Sequence, residues 1–358
     1  MKPGVTMVVC CHNSVKRLPS TLSALAFQEV SEEIPWEVLI VDNASTDGTA
    51  AAAEGQWKFL VAKPSFRVIQ EPQLGLIYAR MRALKEAKYE YVSFIDDDNQ
   101  INPDWVELVY EVMSRHPEVG ALGGLNEPVY EAEPPAWFSH YLKFSAPKFV
   151  NSYALGPQGP AAGDVTDSRG FLWGAGWTLR KSAWQQIVEG GFEPFCVGSQ
   201  GKRMTRGEDS EICLALQMAG WRLWYEPRLK LKHFLPASRL QWNYLRRVRR
   251  MGGASTVYVD LYRAALKDPR LPAFSLSMKW EEEIKGIFKM FAKHWKKLPF
   301  LFFGPSEGKL DILELEGKVG KFRELLRVRR DFLGYVERIF TLQKKLKGRA
   351  LVENSAHR

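Results

Sequence analysis

The chain has 358 residues, 46% of them hydrophobic, and a formal net charge of +9. It can bury a sizeable core, which predicts one large domain plus an appended segment. No stretch approaches 18 uninterrupted apolar residues, and the run before the first predicted strand is too short for a signal peptide, so we expect neither a membrane span nor secretion. The four cysteines form neither a CxxC pair nor a regular framework, so we expect reduced thiols and a cytoplasmic protein.

The charge is unevenly distributed along the chain. Residues 1–240 hold 24 Lys and Arg against 28 Asp and Glu, whereas residues 241–358 hold 26 against 13. The basic character therefore belongs to the C-terminal third.

The first part of the chain alternates strand-like and helix-like segments. Such an order predicts a mostly parallel sheet flanked by helices. The predicted strands are Val5–Cys10, Trp36–Val41, Arg67–Ile69 and Tyr91–Ile95, and the predicted helices are Leu18–Phe27, an alanine-rich segment after Thr49, and Leu76–Ala87. Two of the strands end in acidic polar turns, at Asp42 and at Asp96-Asp97-Asp98. Because parallel neighbours point their carboxyl ends the same way, we expect both turns to face one cleft.

The middle of the chain changes character twice. Residues 127–170 are rich in Pro, Gly, Tyr and Trp with little periodicity, which predicts a long loop region, and the aromatic-rich residues 130–173 are a candidate lid or acceptor loop. The block 171–233 is ordered again, with helices predicted near Lys181–Val188 and from Gly207-Glu208-Asp209 to Ala219, a strand around Leu223–Tyr225, and His233 just after a strand.

The run Tyr91–Ile95 followed by Asp96, Asp97 and Asp98 is the most informative single segment. Three adjacent carboxylates repel one another unless a cation or solvent relieves the charge. Asp96 and Asp98 could share one hard divalent cation that also holds phosphate oxygens. The alternative is a solvated acidic turn that opens a helix at Pro103, with Asn99 and Asn102 as turn formers. The segment alone does not separate the two.

Several segments in order resemble the family 2 glycosyltransferases of the GT-A fold. These are Val38–Thr49, Gly75–Arg80, Tyr91–Asp98 with Pro103, and Gly207-Glu208-Asp209. The resemblance covers about residues 3–245 and implies an α/β, Rossmann-like GT-A fold with a mostly parallel central sheet. It places the catalytic domain at 1–240, with a nucleotide-sugar half at 1–125 and an acceptor half at 126–240, and leaves 241–358 as a basic helical C-terminal extension.

The resemblance assigns two residues to the donor. Asp42 would accept hydrogen bonds from the nucleotide base or ribose, and its alternative is a turn-forming Asp that bonds its own backbone. Arg80 would lie beside the donor and offset its negative charge, and its alternative is a solvated helix arginine. Asp47, by contrast, reads as a turn and helix-capping residue.

The acidic triplet matches the metal motif of these enzymes. The resemblance makes Asp96 and Asp98 ligands of Mn²⁺ or Mg²⁺, with Asp96 and Asp97 also meeting the donor. A histidine at the place of His233 approaches the metal or the diphosphate in relatives, and imidazole suits Mn²⁺ better than Mg²⁺. A lone histidine is also commonly structural.

Asp209 is the predicted general base. Attack of an acceptor hydroxyl requires a group that takes its proton, and in these relatives the second acid of the Glu208-Asp209 pair usually does so. Glu208 is then a substrate-binding neighbour. Both acids also suit a helix N-terminus through its dipole, and the two roles are compatible.

The segment Trp173-Gly174-Ala175-Gly176-Trp177 precedes the predicted base. In relatives this region lines the donor sugar and acceptor, so Trp173, Gly174, Ala175 and Gly176 are candidate substrate-binding residues. Packing in a buried core is the alternative for the tryptophans.

The C-terminal third predicts basic amphipathic helices. Trp280, Ile287, Phe291, Trp295 and other apolar residues recur every three or four positions, with lysines between them, and a second such segment runs from Asp311 to Lys347. These helices could bind an anionic membrane surface or pack on the catalytic domain with solvated lysines. No nucleic-acid motif accompanies the charge, so no nucleic-acid partner is expected.

The resemblance, together with the single predicted base, therefore implies an inverting, metal-dependent hexosyltransferase. We expect a nucleotide-sugar donor, UDP-linked by resemblance, and a glycan or lipid-linked acceptor of bacterial cell-surface polysaccharide or glycolipid. The expected location is the cytoplasm, with peripheral attachment to the inner face of the membrane as an extension. The rival is a nucleotide-sugar or glycan-binding protein of the same fold without turnover, and a nucleotidyltransferase is disfavoured because the turn Cys11–Ser14 is not a glycine-rich basic loop.

Overall fold

The N-terminal part of the chain is built on one mixed β-sheet. The computed structural model describes residues 2–60, 64–144, 147–197, 199–200, 203–268, 273–303 and 305–356. Within these residues nine strands form the sheet: β1 (Val5–Cys11), β2 (Trp36–Asp42), β3 (Ser65–Gln70), β4 (Tyr91–Asp96), β5 (Asn99–Ile101), β6 (Val119–Tyr130), β7 (Gly163–Asp164), β8 (Trp177–Arg180) and β11 (Arg222–Leu235). Strands β9 (Ser199–Gln200) and β10 (Arg203–Met204) pair separately.

The order of the strands is β3-β2-β1-β4-β8-β6-β11-β5, and β7 pairs with β11. Neighbours from β3 to β4 are parallel, whereas β8 joins β4 and β6 by antiparallel pairing. Cys10 pairs with Asp96 and Cys11 pairs with Asp42, so both acids flank the carboxyl end of β1. The two turns thus lie at the same edge of the sheet, and the cleft that they are expected to face remains a prediction.

Five helices accompany the sheet: α1 (Leu18–Ala26), α2 (Thr49–Phe59), α3 (Leu76–Glu86), α4 (Trp105–Arg115) and α7 (Lys181–Glu189). Helix α4 shows why they pack there, since Trp105, Val106, Val109 and Met113 form a fully buried stripe within the cluster that also holds the β1 side chains. The predicted strands and helices up to Ile95 are all present, with ends that differ by one or two residues.

The packing divides the chain into two units. The first comprises residues 1–129, 154–189 and 219–234, and the second 130–153, 190–218 and 235–358. Residues 130–153 and 190–218 thus group with the C-terminal helices, although the sequence-based division places them in the catalytic domain 1–240. That division remains a prediction about function.

The second unit contains the remaining helices: α5 (Ala136–Lys143), α6 (Pro147–Tyr153), α8 (Glu208–Met218), α9 (Trp242–Lys267), α10 (Ala273–Lys293), α11 (Leu310–Arg327), α12 (Phe332–Ala356), and 3₁₀ helices at Ala237–Leu240 and Trp295–Leu301. Helices α9 and α11 cross closely at glycines. A Cβ on Gly320 would lie 1.9 Å from the Arg250 carbonyl oxygen, so only glycine permits this approach.

The prediction of a long loop region over 127–170 is wrong in part. Strand β6 continues to Tyr130, and α5 and α6 follow. Their aromatic rings pack edge to face, with Phe138 4.9 Å from Phe149 and 5.0 Å from Tyr153 between centroids. Aromatic packing, rather than a polar and apolar alternation, stabilises these short helices, which explains the weak periodicity.

Part of the apolar face of α10 packs against other helices of the second unit. Ile287 is 1% exposed, Phe291 contacts Phe322 of α11 edge to face, and the Trp280 indole donates to the Leu325 carbonyl oxygen at 2.9 Å, whereas Phe288 is 55% exposed. These partners are C-terminal helices and not the predicted catalytic domain, so the packing matches neither alternative as stated, and binding to a membrane surface remains a prediction.

None of the helices within the described residues is both long and apolar enough to cross a membrane.

Candidate functional site

Asp96, Asp98 and His233 form a cluster at the end of β4. One ligand atom from each lies within 4.8 Å of the others, and Asp98 and His233 are buried. His233 lies within β11 and not after it, which corrects the predicted position. It is brought here because β11 runs antiparallel to β5 and pairs His233 with Asn99.

Asn99 shapes the turn between the two aspartates. Its side-chain amide donates to Asp98 Oδ1 at 3.2 Å, and its Oδ1 accepts the backbone N–H of Asp96, also at 3.2 Å. Asn99 is fully buried. The turn-forming role expected of Asn99 is thus present, and its side chain bonds both aspartates of the turn.

Two carboxylates and one imidazole suit a hard or borderline divalent cation. Oxygen ligands favour Mg²⁺ or Mn²⁺, and the imidazole shifts the preference toward Mn²⁺. Desolvation and then the negative charge of Asp98 raise the pKa of Asp96 to about 6, with Arg80 and His233 acting in the opposite direction. The crowding of negative charge is what a cation would relieve, so the residues fit a metal.

Asp97 lies outside this cluster. Its carboxylate accepts from the Arg17 guanidinium, with Nη2 at 2.7 Å from Oδ2, and from the Ser14 hydroxyl. These contacts tie the acidic turn to the segment after β1. The predicted contact between Asp97 and a substrate remains a prediction.

Asp42 ends β2 and is 4% exposed. It accepts from Gln70 Nε2 at 3.0 Å and from the Ser45 backbone N–H at 3.3 Å, so it also forms the turn that was its alternative interpretation. The neighbouring Asn43 donates to the carbonyl oxygens of Glu71 and Gln73 and fixes the segment that leads to α3. Its structural role was not predicted.

Arg80 is a buried arginine and not a solvated one. It is 3% exposed, its guanidinium donates to the Gly174 carbonyl oxygen at 3.1 Å, and its Cζ lies 5.4 Å from the Trp177 ring centroid. Its charge lowers the pKa of Asp96 against the stronger effect of burial. A Cβ on Gly174 would lie 2.6 Å from Arg80 Nη2, so glycine leaves room for the cation.

The segment from Trp173 to Trp177 is largely interior. Trp173 is 3% exposed and Ala175 is 7% exposed. Gly176 has φ +72°, and a Cβ there would lie 2.0 Å from Leu231 Cδ2. Burial favours the packing role for Trp173, and the substrate contacts of Trp173, Gly174, Ala175 and Gly176 remain predictions.

Glu208 and Asp209 open α8 in the second unit, as the sequence predicts for a helix start. Asp209 Oδ1 accepts the Ser210 backbone N–H at 2.7 Å, and Glu208 Oε2 accepts the Gly207 N–H at 3.1 Å. Both acids are partly exposed. Their hydrogen bonds to the first turn and their predicted roles are compatible.

Glu211 is a further acid in the same turn that sequence reasoning did not single out. It is fully buried and accepts the backbone N–H of Phe195 at 3.0 Å and of Cys196 at 2.6 Å. Burial raises the pKa of Glu211 to about 7 despite these hydrogen bonds. Glu211 thus fastens the start of α8 to residues 195 and 196.

We expect Glu211→Gln to flatten the pH dependence of stability. Because the folded pKa lies above the unfolded value of 4.5, Glu211 favours folding most at low pH, and this contribution is lost as pH rises through about 7. Up to about 3 kcal/mol of the difference between pH 4 and pH 8 should disappear in the variant. Melting temperatures of both proteins across this range test it, and parallel curves would contradict it.

The chain is similar in sequence to known enzymes. Residues 6–186 match the family profile described as "Glycosyl transferase family 2". The poly-beta-1,6-N-acetyl-D-glucosamine synthase of Staphylococcus epidermidis is 29% identical over 121 residues, which cover 34% of this chain and 28% of that protein. The protein of the same name from Staphylococcus aureus strain COL is 24% identical over 302 residues, which cover 84% and 64%. The matched region thus spans less than two thirds of these relatives.

A solved structure supports the fold. The mannosyltransferase PcManGT from Pyrobaculum calidifontis, in complex with GDP-Man and Mn²⁺, superposes with a TM-score of 0.55 at 15% identity, covering 91% of this chain and 88% of that one. The predicted α/β architecture with a parallel centre and C-terminal helices is confirmed.

Proposed function

The chain belongs to glycosyl transferase family 2, and from this premise we propose that it transfers a sugar from a nucleoside diphosphate donor to an acceptor hydroxyl, with inversion. The observation that carries the proposal is the cluster of Asp96, Asp98 and His233 at the carboxyl end of the parallel strands. Ligands of open α/β sheets bind at this edge.

The proposed reaction exchanges one bond at the anomeric carbon. The acceptor oxygen forms a bond to the anomeric carbon while the bond between the anomeric carbon and the diphosphate oxygen breaks. The electron pair of the broken bond leaves with the diphosphate. Asp209 takes the proton of the attacking hydroxyl. With one base and direct displacement, the configuration at the anomeric carbon inverts.

Residues of the first unit are proposed to hold the donor. Asp96, Asp98 and His233 would hold a divalent cation, which as a Lewis acid stabilises charge on the departing diphosphate. The carboxylate of Asp42 lies at the end of β2, where it would accept hydrogen bonds from the base or the ribose. The charge of Arg80 acts on Asp96, whose pKa it lowers. Because Arg80 is buried, its positive charge would attract the donor more strongly than the same charge in water.

We propose a UDP-linked sugar as donor and a bacterial cell-surface glycan or glycolipid as acceptor. The names of the relatives support the proposed class of acceptor, since they include synthases of poly-beta-1,6-N-acetyl-D-glucosamine and a glycosyltransferase of teichuronic acid biosynthesis. PcManGT was solved with GDP-Man, so a guanine nucleotide is the competing donor class.

Melting of the purified protein with nucleotides and metals tests the donor and the cation together. We expect UDP or UDP-N-acetylglucosamine with Mn²⁺ to raise the melting temperature, while the same nucleotides with EDTA do not. GDP-mannose, ADP and CDP are the matched controls. Release of UDP from the stabilising donor, with or without an added acceptor, then shows turnover. If no nucleoside diphosphate stabilises the protein with either Mn²⁺ or Mg²⁺, the proposed function is wrong.

A further inference from the structure

Three large aromatic side chains project from one short element of the second unit. The 3₁₀ helix Trp295–Leu301 begins with Trp295, which is 65% exposed, and is followed by Phe302 and Phe303, which are 75% and 77% exposed. At about 2 Å rise per residue, the helix and these two residues extend less than about 20 Å. Single exposed apolar residues are ordinary, but several together indicate an interaction surface.

These rings are exposed although the element itself is well anchored. Leu301 is 6% exposed and packs in a small core with Ile312 and Leu315, and the partly buried Leu298 and Phe300 pack against the same core. The Phe303 backbone N–H donates to the Pro299 carbonyl oxygen at 2.7 Å. The fold therefore buries one set of apolar side chains of this segment and presents another to solvent.

The surroundings of the rings are strongly basic. Between Lys285 and Lys309 the sequence holds six lysines and a single acid, Glu307. Lys289, Lys293 and Lys296 are exposed, and in the described part of the chain no ion pair engages them. Lys296 Nζ also lies 5.7 Å from the centroid of the Trp295 ring.

We propose that Trp295, Phe302 and Phe303, with the surrounding lysines, form a binding surface for an anionic lipid bilayer. Tryptophan and phenylalanine rings enter the interface between headgroups and acyl chains, while lysines nearby gain from negative lipid headgroups. A second copy of the chain is a poorer occupant, because a symmetric contact would bring the same lysines together. Trp295 belongs to the apolar positions of the sequence-based expectation, whereas Phe302 and Phe303 do not, and Ile287 of the expected face is buried.

The inference does not rest on the proposed sugar transfer. Binding to vesicles is measured without donor or acceptor, so a failure here leaves the donor experiment unaffected. If both hold, the surface would keep the enzyme near lipid-linked acceptors.

Co-sedimentation with vesicles tests the surface directly. The full chain should bind vesicles of equal parts phosphatidylglycerol and phosphatidylcholine, and only weakly those of phosphatidylcholine alone. The variant W295S/F302S/F303S should bind the anionic vesicles at least about tenfold more weakly. The variant K289E/K293E/K296E should lose the preference for anionic lipid.

The control variant is F27S/F59S, which removes aromatic rings that are 68% and 88% exposed in the first unit. It should bind like the wild type, and melting temperatures of all variants should be similar because the replaced side chains are exposed. Brominated lipid should quench wild-type fluorescence more than that of W295F. No vesicle binding by the wild type, equal binding by the aromatic variant, or a dimer that the aromatic variant dissolves without any vesicle binding would each overturn the proposal.

Discussion

Asp209→Asn is expected to lower kcat of sugar transfer by about 10²- to 10⁴-fold while leaving nucleotide binding nearly unchanged. The amide keeps the shape of the carboxylate and can still accept the Ser210 N–H that Asp209 accepts at 2.7 Å. It cannot take a proton at neutral pH. The change therefore removes the proposed base with little effect on the first turn of α8, and initial rates with the donor that stabilises the protein measure it.

Glu208→Gln is the matched control for this prediction. Glu208 stands next to Asp209 in the same turn, and its carboxylate accepts the Gly207 N–H. We expect this variant to retain transfer within about tenfold of the wild type, since Asp209 remains. If Glu208→Gln removes activity and Asp209→Asn does not, the two acids exchange roles, and full activity of both variants would remove this turn from the mechanism.

Asp98→Asn is expected to weaken the Mn²⁺-dependent binding of UDP by at least about tenfold. Asp98 is 5% exposed and belongs to the cluster with Asp96 and His233, so the change removes one of the two negatively charged ligands that we propose. The amide oxygen can still accept from Asn99 Nδ2, which preserves the turn. Titration calorimetry of UDP with and without Mn²⁺ measures the effect.

Asp97→Asn separates metal binding from the structure of the turn. Asp97 is adjacent in sequence but bonds Arg17 and Ser14 and lies outside the cluster. Its loss should lower the melting temperature while Mn²⁺ still strengthens UDP binding. Equal metal dependence in Asp98→Asn and the wild type would show that Asp98 is not a ligand.

The parallel half of the sheet could be predicted because its signals are local. Each of β1, β2 and β4 is a short apolar run between polar turns, and β1 is buried almost throughout. Strand β6 was missed, and β11 was predicted in two pieces, around Leu223–Tyr225 and directly before His233, rather than as one strand. In its second piece Leu229, Leu231 and Leu235 are buried and the exposed Lys230 and Lys232 lie between them, which is the period of a half-buried strand.

The sequence indicated several residues of the candidate site but not the contacts that these residues make. Asp42, Asp96 and Asp98 stand at strand ends, which the order of segments indicates. The burial of Arg80 beneath Gly174 and the role of Glu211 were not predictable, because each depends on residues far away along the chain or on a backbone segment without a motif.

By itself the sequence determined the order of strands and helices from β1 to β4, the acids at the ends of β2 and β4, and the basic character of the C-terminal helices, since these follow from local periodicity and composition. Only the tertiary structure decided that Asp96 and Asp98 meet His233 while Asp97 meets Arg17, and that Trp295 stays exposed where Ile287 is buried. The physical reason is that strand pairing and helix packing set the direction of each side chain. These contacts join segments whose local patterns carry no information about one another.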